Sequence, residues 1–194
     1  VKGNAYGHGI EQFIPLAEEC GVKHFSVFNA DEALRVLTSS TTNPTIMIMG
    51  YLHNNEIEWA IRHDIEFYVF DLDRLRCAID TAKEMKKPAV LVLYAEWCQY
   101  CKKLESTTLV DPRIRMMKND FVWIKVDSDK QKEIKALYEQ KGFPLTILLD
   151  ANGEVLEKIS GFRPAGEFQT VLKKALNGDG ASASLPPVDT QKES

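Results

Sequence analysis

The amino-acid sequence predicts an α/β protein. Short runs rich in β-branched residues alternate with amphipathic stretches along most of the 194 residues, which is the order in which parallel strands are joined by helices. The pair Asn152 and Gly153 lies between the last two of these runs and is a signal for a hairpin with a two-residue type I′ turn. We therefore expect largely parallel strands, with the last two antiparallel to each other.

The periodicity places each element in turn. Strands are predicted at residues 22–28, 45–49, 65–70, 89–95, 121–126, 145–149 and 155–159. Helices are predicted at residues 10–20, 30–38, 54–63, 72–86, 102–107, 112–118, 130–140 and 165–176. Asp31 and the pair Asp111 and Pro112 are typical of helix starts. The lysines of the 130–140 helix are predicted to form a solvated face: Lys130, Lys132 and Lys135.

Composition excludes several classes of function. The chain has 24 basic and 28 acidic residues, a net charge of −4, which argues against a general nucleic-acid or anionic-membrane binder. No apolar run approaches the roughly 18 residues of a membrane span. Four cysteines are too few for a small protein held together by disulfides.

The two ends of the chain also carry signals. Residues 177–194 are rich in Gly, Ser, Ala and Pro and contain no aromatic residue, so they are predicted to be disordered. The chain begins at Val1 rather than at a methionine, which we expect of an excised or truncated piece.

The strongest chemical motif is the pair Cys98 and Cys101, which follows an apolar strand and opens a helix. The helix N-terminus favours an anion and lowers the pKa of the first cysteine. A Cys98 thiolate can attack a disulfide, and Cys101 can then resolve the mixed disulfide. The alternatives are plain core cysteines or half of a zinc site. Zinc would need two more ligands, whereas Cys20 and Cys77 are isolated, so no metal site is predicted.

A second feature is Pro144, at the start of the strand 145–149. Proline is tolerated there because it lies outside the hydrogen-bonded ladder, and such a turn can hold a cis peptide. A cis-proline beside the CxxC would leave the preceding backbone free to pair with a substrate chain; an ordinary turn proline is the alternative. Glu96 lies close enough to Cys98 in sequence to accept a proton, although a solvated charge is an equal interpretation.

Residues 72–176 contain five motifs of a known family: YAEWCQYC (94–101) and those at 102–114, 121–127, 142–154 and 161–168. On these motifs the region resembles the thioredoxin fold, a mixed sheet flanked by helices, and most of all the thioredoxin-like domains of thiol–disulfide interchange reductases. The resemblance implies that Cys98 attacks, Cys101 resolves, Pro144 is cis and Trp97 shapes the surface beside Cys98. It also implies a disulfide-bearing protein substrate and an upstream electron donor. Val92 stands where many thioredoxins have a buried Asp.

The N-terminal half resembles another family. VKGNAYGHG at residues 1–9, and further stretches up to residue 87, are similar to the N-terminal domain of alanine racemase. This resemblance implies a TIM barrel that binds pyridoxal phosphate (PLP), with Lys2 as the Schiff-base lysine and Tyr6 at the cofactor phosphate. Gly3 stands where alanine is commoner.

Length argues against an active racemase. A complete barrel needs about 250 residues, so a truncated βα fragment is expected. Neither racemisation nor a functional PLP at Lys2 is expected. We predict a chimera of a barrel fragment at 1–71, a thioredoxin-like domain at 72–176 and the tail. The helix at 72–87 fits both family patterns, and oligomerisation through the fragment is left open.

The sequence thus predicts a thiol–disulfide oxidoreductase that needs no cofactor for its redox chemistry. A PLP-binding racemase relative and a non-enzymatic interaction module that uses the thioredoxin groove are the alternatives. The compartment is not fixed by the sequence. The racemase resemblance and the cysteines outside the motif slightly favour the cytoplasm over the periplasm.

Overall fold

The structure, a computed structural model, describes residues 1–177. The chain separates into two compact units, Val1–Val69 and the chain from Phe70 onward. The domain boundary between residues 71 and 72 stays a prediction. The disordered tail predicted at 177–194 lies, beyond Asn177, outside the described residues.

The first unit contains a parallel sheet in the order β1–β2–β3. Every strand and helix predicted for this half is present, with ends that differ by up to three residues from the predicted ones. The arrangement is compatible with part of a larger βα barrel. Its elements are α1 (Ile10–Glu19), β1 (His24–Val27), α2 (Ala30–Ser39), β2 (Thr45–Ile48), α3 (Asn54–Arg62) and β3 (Ile65–Phe67).

Burial alternates along the strands of this sheet. Phe25 and Val27 of β1 are buried, while Ser26 between them is only half-buried. In β2, Ile48 is buried and Met47 is half-buried. A closed parallel barrel buries both faces of its strands. The second face of this sheet is covered less completely, as expected for a barrel fragment.

Glu18 fastens the loop that follows α2 to the end of α1. Its carboxylate accepts hydrogen bonds from the Ser40 hydroxyl, from the Thr41 backbone N–H at 2.9 Å and from the Thr42 hydroxyl at 2.6 Å. These bonds favour the ionised carboxylate, the one from Ser40 most of all, and lower the pKa of Glu18 to about 2. The Glu18 carboxylate is therefore ionised at neutral pH, and in that form it holds the loop.

Replacing Glu18 with Gln is expected to loosen the first unit in a pH-dependent way. The pKa of Glu18 falls from 4.5 to about 2 on folding, so its stabilisation is fully present above pH 4.5 and is lost as the pH falls through about 2. The hydrogen-exchange rates of the amides in the loop between α2 and β2 should therefore differ most between wild type and Glu18→Gln at neutral pH. The exposed neighbour Glu19→Gln serves as control, and a difference independent of pH would contradict the assignment.

The second unit contains a four-stranded mixed sheet in the order β5–β4–β6–β7. The predicted mixed sheet flanked by helices is confirmed. The last two strands pair antiparallel as predicted, and β6 is antiparallel to β4 as well. The elements are α4 (Leu72–Glu84), β4 (Ala89–Tyr94), α5 (Gln99–Lys103), a π-helical turn (Leu104–Thr108), α6 (Pro112–Arg115), a 3-10 turn (Lys118–Asp120), β5 (Val122–Asp127), α7 (Lys132–Leu137), β6 (Leu145–Leu149), β7 (Val155–Ser160) and α8 (Ala165–Leu176).

Strand β4 lies inside this sheet, and its apolar sequence AVLVL is buried throughout. Val90 and Val92 belong to the same buried cluster as Phe168 and Leu172 of α8. A strand with a neighbour on each side is the best-fixed part of a sheet. The loop that follows its C-terminal end and contains Cys98 is therefore attached to a well-fixed strand.

Two local predictions are wrong in detail. The β6–β7 connection is not a two-residue type I′ turn, because Gly153 has a positive φ of 81° whereas Asn152 does not. Instead, the Asp150 carboxylate accepts from the backbone N–H groups of Asn152 and Glu154, which closes a longer loop. Helix α2 is capped by Asn29 rather than started by Asp31.

Candidate functional site

Cys98 and Cys101 lie where β4 passes into α5. Cys98 is the N-cap residue of α5, and its Sγ accepts a hydrogen bond of 3.0 Å from the backbone N–H of Cys101. An N–H donor and the positive end of a helix stabilise a negative charge at this atom. The sequence prediction that the first cysteine opens a helix is confirmed.

The two cysteines form a disulfide, with their Cα atoms 5.3 Å apart. Both are buried, Cys98 with 4% of its surface exposed. They belong to a small cluster with Ala95, against which Tyr94 and Phe143 pack. The disulfide is therefore packed against side chains from the end of β4 and from the residue before Pro144.

A second loop packs against the disulfide. The Phe143–Pro144 peptide bond is cis, as the sequence predicted, and Pro144 is buried at the start of β6. The Phe143 ring meets the Trp97 ring edge-on, with centroids 5.2 Å apart. Trp97 itself is 63% exposed, and Tyr100 is exposed as well. The dithiol is thus bordered by aromatic surface on which an extended peptide could lie.

The turn after β5 contacts Trp97 and its neighbour Glu96. The Trp97 indole N–H donates to the Asp129 carboxylate at 2.8 Å. Lys130 makes ion pairs with Glu96 and with Asp127, the latter at 3.2 Å. The hydrogen bond that the Lys130 ammonium donates to Glu96, followed by the one that it donates to Asp127, raises the pKa of Lys130. The exposed Glu96 is thus in an ion pair, and its role as a proton acceptor stays a prediction.

Two lysines predicted to be simply solvated have partners at the site. Lys130 precedes α7 and holds Glu96. The Lys135 ammonium lies 5.2 Å from the centre of the Phe143 ring, in a cation–π contact. Periodicity places lysines on a helix face but carries no information about which loop that face meets.

Sequence reasoning also missed a charged pair beside Tyr94, the last residue of β4. The Lys125 ammonium lies 4.2 Å from the centre of the Tyr94 ring and 2.6 Å from the Glu105 carboxylate. Lys125 and Glu105 come from β5 and from the π-helical turn, so no local sequence signal relates them. The alternation of β5 places Lys125 outward, which is the only signal that could have indicated a surface role.

Val92 occupies the interior position where many thioredoxins have an acidic side chain. It is buried in the cluster that α8 covers. An apolar residue there provides no internal proton acceptor for the second cysteine.

Lys2 precedes a stretch of unusual backbone conformation that ends at Tyr6, at the start of the first unit. Asn4 and Ala5 have φ of 54° and ψ near 50° and 45°, a left-handed helical turn. The Glu32 carboxylate anchors this turn by accepting from the N–H groups of Asn4 and Phe28. The motif that resembles the racemase is therefore folded rather than frayed.

The surroundings of Lys2 do not fit bound PLP. A lysine that forms a Schiff base needs a desolvated or otherwise perturbed amine and a cofactor held by many contacts. Lys2 is exposed, and Tyr6 is 73% exposed. The described part of the chain does not enclose these two side chains, so no chemistry is assigned to the cofactor here.

Two features are absent from residues 1–177: a cluster of metal ligands and a helix that could span a membrane. Within that range there is no group of three or more His, Cys, Asp or Glu residues that could hold a metal ion. None of the helices described there is both long and apolar enough to cross a bilayer.

A disulfide that caps the helix after a central strand, with a proline turn packed against it, defines the class of thioredoxin-fold proteins. The chain belongs to the thioredoxin-like family, whose domain profile matches residues 75–176. Residues 1–96 match the profile of the alanine racemase N-terminal domain. Both resemblances predicted from the sequence are confirmed, and the two matches overlap at residues 75–96.

Individual relatives divide in the same way. A thioredoxin of Mycoplasmoides gallisepticum is 31% identical over 98 residues, 50% of this chain and 94% of its own length. The thiol:disulfide interchange protein DsbD of Vibrio vulnificus is 29% identical over 136 residues, 66% of this chain and 23% of its own length. An alanine racemase of Listeria innocua is 37% identical over 75 residues, 39% of this chain and 20% of its own length. The chain spans less than a quarter of the DsbD and racemase relatives.

Proposed function

We propose that the chain is a thiol–disulfide oxidoreductase acting through Cys98 and Cys101. The observation that carries this proposal is the disulfide between the N-cap of α5 and the residue one turn along. The aromatic border formed by Trp97, Tyr100 and Phe143 supports a protein or peptide substrate. The names of the DsbD and thioredoxin relatives are consistent with the same chemistry.

In the reducing direction, the Cys98 thiolate attacks one sulfur of a substrate disulfide. A bond forms between Cys98 and that sulfur, and the other substrate sulfur leaves as a thiolate, which takes up a proton. The Cys101 thiolate then attacks Cys98 Sγ, forms the Cys98–Cys101 disulfide and releases the second substrate thiolate. The substrate gains two electrons and the protein loses two, so an external dithiol donor must reduce the pair again.

The proposal is tested by DTT-driven reduction of insulin. The wild-type chain is expected to accelerate reduction well above DTT alone, with DTT as the dithiol donor. If the folded protein, with both thiols of the pair titratable after reduction, gave no acceleration, the proposed activity would be wrong.

For the N-terminal unit, we propose that Lys2 does not hold a functional cofactor. Its exposed amine lacks the desolvated environment that a Schiff-base lysine needs. PLP is expected to give the same weak, non-saturating absorbance change with wild type and with Lys2→Ala. Borohydride fixation should label several exposed lysines alike. A saturable band and a label at Lys2 that Lys2→Ala removes would refute this expectation and favour the PLP-binding alternative.

A further inference from the structure

The turn between β5 and α7, residues 128–131, contains a buried side chain beside its exposed ones. Ser128 is fully buried, and its backbone N–H donates to the Tyr94 carbonyl at 3.0 Å. Tyr94 is the last residue of β4 before the CxxC loop. Ser128 is thus fixed to the strand that positions the dithiol.

A glutamine connects Ser128 to the proline turn. The Ser128 hydroxyl donates to Gln140 Oε1, and Gln140 Nε2 donates to the Gly142 carbonyl at 2.9 Å. Gln140 is buried as well. Gly142 immediately precedes Phe143 and Pro144, so the glutamine holds the residue from which this turn starts.

These contacts close into a ring. Phe143 packs edge-on against Trp97, and the Trp97 indole N–H donates to Asp129. Asp129 is the next residue after Ser128. The turn that carries the proline and the loop that carries Cys98 are therefore both tied to two consecutive residues of the β5–α7 turn.

A buried polar pair of this kind serves position more than stability. Burying a hydroxyl and an amide has a free-energy cost that their mutual hydrogen bond largely offsets. An apolar side chain at residue 140 would fill the interior without that requirement. The pair instead positions the backbone, because its two hydrogen bonds fix the distance between Ser128 and the Gly142 carbonyl.

We propose that Ser128 and Gln140 are positioning residues that hold the 142–144 turn against Trp97 and so shape the groove in which a substrate chain docks. The inference rests on the proposed oxidoreductase function and deepens it. Both residues act through Phe143 and the proline turn. Their loss should impair docking of a protein disulfide and leave the exchange chemistry of Cys98 intact.

The test compares a large and a small disulfide with Ser128→Ala and Gln140→Leu. For insulin, saturation kinetics of the reduced protein should show a KM raised about tenfold by Gln140→Leu and less by Ser128→Ala, because the glutamine variant loses both hydrogen bonds. For hydroxyethyl disulfide, which is too small to span the groove, the rate should stay within about twofold of wild type. Thr108→Val is the matched control, since it removes another buried hydroxyl bond of this unit, to the Arg163 carbonyl.

A spectroscopic readout makes the test independent of turnover. The three tryptophans are replaced by 5-fluorotryptophan, and the ¹⁹F resonance of Trp97 is assigned by its absence in Trp97→Phe. This resonance should shift or broaden in Gln140→Leu. The resonances of Trp59 and Trp123 should not change. One folded variant of the two is sufficient for this measurement.

The proposal is overturned if the Trp97 resonance is unchanged in a folded variant, or if the rates with insulin and with the small disulfide fall by the same factor. The second result would indicate a purely structural role. An inactive wild type would refute the oxidoreductase function, and the Trp97 resonance would still decide whether Ser128 and Gln140 position the turn.

Discussion

Replacing Cys98 with Ser is expected to abolish insulin reduction above the rate with DTT alone. Removing the attacking residue of such a centre costs roughly a hundredfold or more, because a serine hydroxyl is not ionised at neutral pH and cannot replace a thiolate. Cys98 is the expected nucleophile because its Sγ is the atom that accepts the Cys101 N–H at the start of α5. The assay is the DTT-driven insulin reaction, with folding of the variant checked by circular dichroism.

Replacing Cys101 with Ser should have a different effect. Cys98 can still attack, but nothing resolves the product, so a mixed disulfide with the substrate should accumulate. Non-reducing electrophoresis and mass spectrometry would detect it, and DTT should release it. The matched control is Cys20→Ser, which changes an exposed cysteine outside the pair and should leave activity unchanged.

Other outcomes of the cysteine experiments would contradict the assignment. Full activity in Cys98→Ser would mean that another group attacks. If Cys98→Ser accumulated the mixed disulfide with the substrate and Cys101→Ser did not, the roles of the two cysteines would be reversed. If the double variant bound a peptide partner as well as wild type did, while wild type reduced nothing, the interaction-module alternative would be favoured.

Features local in sequence were predictable from the sequence. Cys98, Cys101 and Pro144 were found because a motif and its flanking strand lie within a few residues of one another. The apolar run of β4 was found because its pattern is continuous. The left-handed turn at Asn4 and Ala5 was not, because non-glycine residues rarely adopt positive φ.

Contacts between distant residues were not predictable. Gln140 looks like an ordinary polar helix residue until α7 ends at Leu137 and the chain turns inward. Its partner Ser128 lies 12 residues earlier, in a turn whose buried side chain has no sequence signature. The same holds for Lys130 and Glu96, 34 residues apart, because a surface lysine meets a partner only after the sheet has formed.

Replacing Phe168 with Ala is expected to be the most destabilising of the substitutions considered for the second unit. Phe168 is 1% exposed, and its ring stacks on Trp123, with centroids 6.4 Å apart and planes at 23°. It belongs to the cluster that covers Val90 and Val92 of β4. Truncating a buried phenylalanine leaves a cavity and costs about 3–5 kcal/mol of unfolding free energy, a large share of the roughly 5–15 kcal/mol typical of a domain.

The free energy of unfolding is measured by urea denaturation. Hydrogen exchange of the amides of β4 and α8 is measured separately. Leu176→Ala, at an exposed position of the same helix, is the matched control and should cost no more than about 0.5 kcal/mol. Because Phe168 lies on the core side of β4 rather than at the disulfide, Phe168→Ala should keep most of its insulin-reducing activity below its own unfolding transition. Equal effects of the two substitutions would mean that α8 does not cover the core. Loss of activity in a still-folded Phe168→Ala would mean that the position of the dithiol depends on this cluster as well as on the strand that carries it.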